Sequence, residues 1–115
     1  HDSHNIIVLG DNNEDMAIAA NGLKELGGGL IIVSGGKVLG SLKLEVAGLM
    51  TAEPIEKVNE QFQSMIKLAH SLGVNPDVEP FMTLSFLALP VIPYLKLTDK
   101  GLFDVSKFEF VGLEA

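Results

Sequence analysis

The chain has 115 residues, enough for one small domain, and 47% of them are apolar, which excludes a wholly disordered polypeptide. Fifteen acids against eight bases leave a net charge of −7, a field that repels phosphate backbones and argues against a nucleic-acid partner. With no cysteine in the chain, disulfide staples and thiolate metal sites are excluded as well.

In chain order, the run Ile6-Ile7-Val8-Leu9 stopped by Gly10 predicts a strand covered on both faces. Asp11 to Asp15 then stacks capping side chains and acids where a helix would begin, their oxygens accepting from free N–H groups at the positive end of the dipole. Met16, Ala19, Ala20, Leu23 and Leu26 recur at helical spacing, and Gly27 stands where a left-handed cap is wanted. Leu30 to Val33 is a second β-rich run. Ser34-Gly35-Gly36-Lys37 suits a tight turn, and Val38 to Val46 returns as a strand with a kink at Gly40, which together predict a hairpin.

Thr51 is placed to cap a second helix, with Pro54 in its first turn, where a missing N–H costs nothing. Its inner face reads Ile55, Val58, Phe62, Met65, Ile66, Ala69 and Leu72, its outer face carries Glu56, Lys57, Glu60, Gln63, Lys67 and His70, and Gly73 ends it. Phe81 to Leu89 alternates like a strand yet also suits a buried helix ended by Pro90; a short helix is favoured. Val91 to Pro93 is extended, Thr98 to Gly101 is a turn, and Phe108 to Val111 is a closing strand. The fold class is therefore mixed α/β, a small sheet with helices packed on it in the order β-α-β-β-α-(α)-β, as one domain over residues 1–115.

The longest uncharged run, Pro80 to Leu95, is shorter than the ~20 apolar residues that span a bilayer and is broken by prolines, so no membrane partner is expected. The polar opening His1-Asp2-Ser3-His4 lacks the basic leader of a signal peptide. These features together suggest a soluble, cytoplasmic protein.

His1, Asp2, Ser3, His4 and Asn5 form the densest group of reactive side chains, and a histidine–carboxylate cluster of this kind can bind a metal or move a proton. Two histidines and one aspartate with no third strong ligand nearby make a poor stand-alone site. A hydrogen-bonded turn or assembly contact is favoured, with His1, Asp2 and His4 kept as the catalytic candidates. His70, on the polar helix face, reads as a solvated surface histidine. Gly27-Gly28-Gly29 follows a helix instead of preceding one, so it reads as a cap and hinge and not as a phosphate cradle. Gly10-Asp11-Asn12-Asn13 does lead from strand to helix, but its acids would repel phosphate. Thr83 and Ser85 have no base beside them and are expected to bond backbone carbonyls. Phe81, Met82, Leu84, Phe86 and Leu87, continued by Leu89, Val91 and Ile92, make an unusually apolar segment suited to an interface.

Seven phrases resemble the adenine deaminase family in that family's order. They are H-D-S-H-N at 1–5, N-E-D-M at 13–16, G-G-G-L-I-I-V at 27–33, A-G-L-M at 47–50, P-F-M-T-L-S-F-L-A-L-P-V-I-P at 80–93, L-T-D-K-G-L-F-D-V at 97–105 and F-E-F-V at 108–111. The resemblance is loosest over Glu53 to Val78. It implies a C-terminal domain of an amidohydrolase of purine salvage, whose (β/α)₈ barrel holds a pair of divalent metals, manganese or iron, and converts adenine to hypoxanthine and ammonia. The barrel's His-x-His motif is absent, since His1 and His4 are spaced His-x-x-His, so no metal site and no activity are expected of this chain alone. Its implied partners are its own barrel and further copies in a homo-oligomer. The competing readings are an independent interaction module and a small-ligand domain using the His1–Asn5 cluster.

Overall fold

The computed structural model describes residues 5–113. Within them run α1 (Asn13–Leu26), β1 (Gly29–Ser34), β2 (Lys37–Lys43), α2 (Ile55–Ser71), α3 (Pro80–Leu87), β3 (Leu95–Thr98), β4 (Gly101–Asp104) and β5 (Glu109–Phe110). The mixed α/β class holds, as two small antiparallel sheets, β1-β2 and β3-β4-β5.

α1 begins at Asn12, whose extended backbone (φ −144°, ψ 146°) turns its side chain onto the N–H of Asp15. Glu14 and Asp15 lie in the first turn and Lys24 in the last, the arrangement that opposes the helix dipole. Gly27, at φ 78°, takes the left-handed cap. After it the chain passes directly into β1. The hairpin closes through Gly35 and Gly36, both at positive φ (59° and 75°), with Ser34 opposite Lys37, the two-residue turn whose twist matches that of the flanking strands. Leu39 is the extra residue of a bulge between the pairs Ile32–Gly40 and Val33–Val38.

Two glycines let the helices reach this hairpin. A Cβ on Gly22 of α1 would lie 2.6 Å from Ile31 Cδ1, and one on Gly40 of β2 would lie 2.9 Å from Met65 Sδ and 3.0 Å from Leu68 Cδ2 of α2. Ile31 and Ile32, the partner of Gly40, are neighbours on β1, and successive strand residues point to opposite faces. The hairpin is thus sandwiched, α1 on one face and α2 on the other. That burial on both faces accounts for the unbroken Leu-Ile-Ile-Val run. The core among the described residues is small: Ala19, Leu42, Met65 and Ala69.

Several expectations are corrected. Ile6–Leu9 is not a strand; it pairs with no neighbour among the described residues, and Ile6 and Leu9 are exposed. Among the described residues the order therefore starts with α1, not with a strand. The second hairpin strand ends at Lys43 instead of Val46, where Val46 and Met50 bridge a tight turn. Pro54, not Thr51, is the residue before α2; the Thr51 hydroxyl instead donates to Glu45 (3.1 Å). Ile55 and Leu72 at the two ends of α2 are exposed, so its inner face narrows to Val58, Phe62, Met65, Ile66 and Ala69. The closing strand is only Glu109–Phe110. The Thr98–Gly101 turn joins two strands, β3 and β4, that alternation did not signal, because Lys96 is half-buried while Leu95 and Leu97 are exposed. Phe81 to Leu89 is helical, as favoured, over Pro80–Leu87.

The chain exposes 8129 Å², whereas a closed monomer of its mass would expose roughly 6,100 Å². Large apolar side chains supply much of the excess, including Val91, Tyr94, Leu97, Phe108 and Leu113, each more than two-thirds exposed.

The backbone crossing at Gly28–Gly29 yields a prediction. A Cβ on Gly29 (φ 136°) would stand 2.0 Å from Leu42 O, while one on Gly35 would meet nothing within 4 Å. Gly29→Ala should cost more than about 3 kcal/mol, strain and clash together, and Gly35→Ala only about 1–2 kcal/mol for its left-handed backbone. Urea midpoints of the two variants measure the difference; equal midpoints would show that the crossing is loose.

Candidate functional site

Of the sequence candidates, His1, Asp2 and His4 lie outside the described residues. Their neighbour Asn5 is described, and it lines a cavity of about 390 Å³ with Ala88, Leu89, Pro90, Val91, Thr98 and Asp99. Three separated stretches thus meet there: the end of the polar opening, the Ala88–Val91 turn after α3, and the β3–β4 turn. Thr98 braces that turn, its hydroxyl donating to Gly101 O (2.9 Å) and accepting from Lys100 N–H (3.2 Å). A second, shallower groove of about 270 Å³ runs between β2 and α2, where Gly40 leaves room against Met65 and Leu68 and where Ser41, Glu60, Gln61 and Ser64 supply polar rims. Among the described residues no three His, Asp or Glu side chains converge in a metal-binding set.

His70 does not stand free in solvent. It is half-buried, and its Nε2 lies 2.9 Å from the Val78 carbonyl oxygen, which ties the loop before α3 to the last turn of α2. The helix-face reading placed it among polar neighbours, but the loop folds back over that end of the face. Glu79 then caps α3, its carboxylate accepting from the N–H groups of Phe81 and Met82, and Pro80 opens the helix where no N–H is needed.

In α3, Phe81 turns inward against Phe62 of α2 with ring centroids 5.9 Å apart, and Leu84 is half-buried, while Met82, Phe86 and Leu87 are each about half exposed. Ser85 donates to Met82 O (2.8 Å), the backbone bond expected of a hydroxyl inside an apolar helix. In the second sheet, Phe103 holds Phe108 and Phe110 edge-on, both at 5.3 Å, and both partners are exposed. Among the described residues no helix is long and apolar enough to cross a membrane.

One structural contact went unnoticed in the sequence. Asp15 Oδ2 accepts from Gly35 N–H (3.0 Å) and Asp15 Oδ1 from Gly36 N–H (2.7 Å) at the tip of the hairpin, some twenty residues away, while Asn12 Nδ2 also donates to Oδ2 (3.2 Å). The Asn12 side chain, then the Gly36 N–H, hold the Asp15 carboxyl below its ordinary pKa. The signal was an acid at the third helical position, which was read as serving the dipole alone.

A family model described as the adenine deaminase C-terminal domain matches residues 1–109. The chain belongs to that family. It is 58% identical to the adenine deaminase of Nitratidesulfovibrio vulgaris over 111 residues, which cover 96% of this chain and 19% of that protein. The adenine deaminase of Clostridium acetobutylicum is 55% identical over 112 residues, 96% of this chain and 20% of that protein. That of Brucella anthropi is 54% identical over 112 residues. This adenine deaminase C-terminal domain therefore spans about a fifth of the length of the curated relatives it matches.

The Asp15 clamp yields a pH prediction. Because the folded-state pKa is lowered, the clamp's contribution is present above the unfolded pKa and is lost as pH falls through the folded one. Asp15→Asn should therefore unfold at lower urea than the parent sequence at neutral pH, and the gap should close as pH falls from the ordinary carboxylate range through the lowered folded-state pKa. A gap that stays constant across that range would assign the loss to packing instead of charge.

Proposed function

We propose that this chain is the C-terminal domain of an enzyme that hydrolyses adenine to hypoxanthine and ammonia in cytoplasmic purine salvage. In that reaction water adds at C6, and the exocyclic amino group leaves as ammonia. The observation that carries the reading is the match of nearly the whole chain, at more than half identity, to one-fifth of proteins named adenine deaminase. The rest of such a protein would hold the catalytic barrel and its divalent metals, manganese or iron. The described residues of this chain do not fit that role, since no set of His, Asp and Glu converges among them.

The domain's own part in the proposal is to support or lid the barrel. Its apolar excess surface supports this, because exposed contiguous apolar patches mark contacts. The α3 face of Met82, Phe86 and Leu87, backed by Phe81 and Leu84, is the proposed contact with the barrel or with a neighbouring subunit of a homo-oligomer.

Two measurements test the reading. The full-length protein should convert adenine to hypoxanthine, while the 115-residue chain with added manganese or iron should not; turnover by the chain alone would overturn the division of labour. In solution the chain alone should self-associate and bind a hydrophobic dye, and Phe86→Asp should weaken both. A monomer at high concentration that binds no dye would show that α3 is not a contact surface.

A further inference from the structure

We infer that the outer edge of β1 is a strand-docking site, filled in the full-length protein by an extended segment of the same polypeptide that lies outside this chain. The inference rests on the reading above that the chain is one domain of a longer protein.

Three observations carry it. First, the hairpin's two edges differ in kind. β2 carries Lys37 and Lys43, both exposed, near its two ends, the protection an open edge is normally given. β1 reads Gly-Leu-Ile-Ile-Val-Ser, with no charge and no proline, and every residue in it is half-buried. Such an edge left open would be a template for aggregation.

Second, the free hydrogen-bonding groups are countable. Leu44 N–H donates to Gly28 O (3.1 Å), so Gly28 and Leu44 are a hydrogen-bonded pair. By alternation along the ladder Leu30 and Ile32 face β2, and Gly29, Ile31 and Val33 turn their N–H and C=O groups outward. β1 has no strand on that side among the described residues.

Third, a two-stranded sheet is marginal by itself, yet this one has a helix packed on each face. That is the environment of an interior strand pair in a larger sheet, with β1 on the side to be continued.

The occupant would be recognised by main-chain hydrogen bonds, with apolar β-branched side chains entering between α1 and α2 above and below the edge. About four-fifths of the length of the matched relatives lies outside the region this chain covers, which supplies ample polypeptide for one more strand. The chain's own Ile6–Leu9 has the composition of a strand, but Ile6 and Leu9 are exposed and the segment pairs with nothing among the described residues.

Hydrogen exchange resolved to single amides decides the matter, measured on the full-length protein and on the 115-residue chain. In the full-length protein Ile31 and Val33 should exchange as slowly as Leu30 and Ile32; in the chain alone they should exchange at least about a hundredfold faster than in the full-length protein. Fast exchange at Ile31 and Val33 in the full-length protein overturns the inference. So does slow exchange at these two positions in the chain alone: if it persists on dilution, Ile6–Leu9 covers the edge, and if it vanishes on dilution, a second copy does. Adenine turnover measured on the same full-length sample separates the two readings. An active enzyme with fast Ile31 and Val33 amides loses the docking site alone, and an enzyme inert on adenine with slow amides loses the functional reading alone.

Discussion

Everything in the N-terminal half of the fold depends on how closely two helices can approach one hairpin. The distance is set at Gly22 and Gly40, where a methyl group would strike Ile31 on one face and Met65 on the other. With those approaches made, Ala19, Leu42, Met65 and Ala69 are buried. A core so thin leaves little margin for error in packing. A methyl at either glycine would have to displace the end of a neighbouring side chain, Ile31 at Gly22 or Met65 and Leu68 at Gly40.

Polar contacts then fix what packing leaves loose. The Asp15 carboxylate ties the start of α1 to the tip of the hairpin. His70 ties the end of α2 to the loop that leads into α3. Glu45 receives the Thr51 hydroxyl and the Ala52 N–H across the turn between β2 and α2. Each joins the end of one element to a neighbouring connection, where backbone groups would otherwise be left to water.

The remainder of the chain exposes much of its apolar surface. α3 shows one wall to Phe62 and the other to solvent, and the small second sheet has exposed Leu95 and Leu97 on one strand and exposed Phe110 on another. Such a surface is unusual for a protein that works alone, and the curated relatives that this chain matches are about five times its length.

The helices and the hairpin were legible in the residues because each carries its own local chemistry. Asn12 and Gly27 bracket α1, Gly35-Gly36 dictates the turn, and the spacing from Val58 to Ala69 marks the buried face of α2. Family membership was legible too, since it resides in the order of the residues themselves. What tertiary structure alone decided is everything that depends on a partner distant in the chain. Ile6–Leu9 has the composition of a strand, but a strand exists only where another edge meets it. Asp15 looked like any acid at a helix start until the hairpin tip arrived beside it, and His70 looked solvated until the loop at Val78 covered it. Composition specifies what a residue can bond to; only the fold brings the second atom within reach.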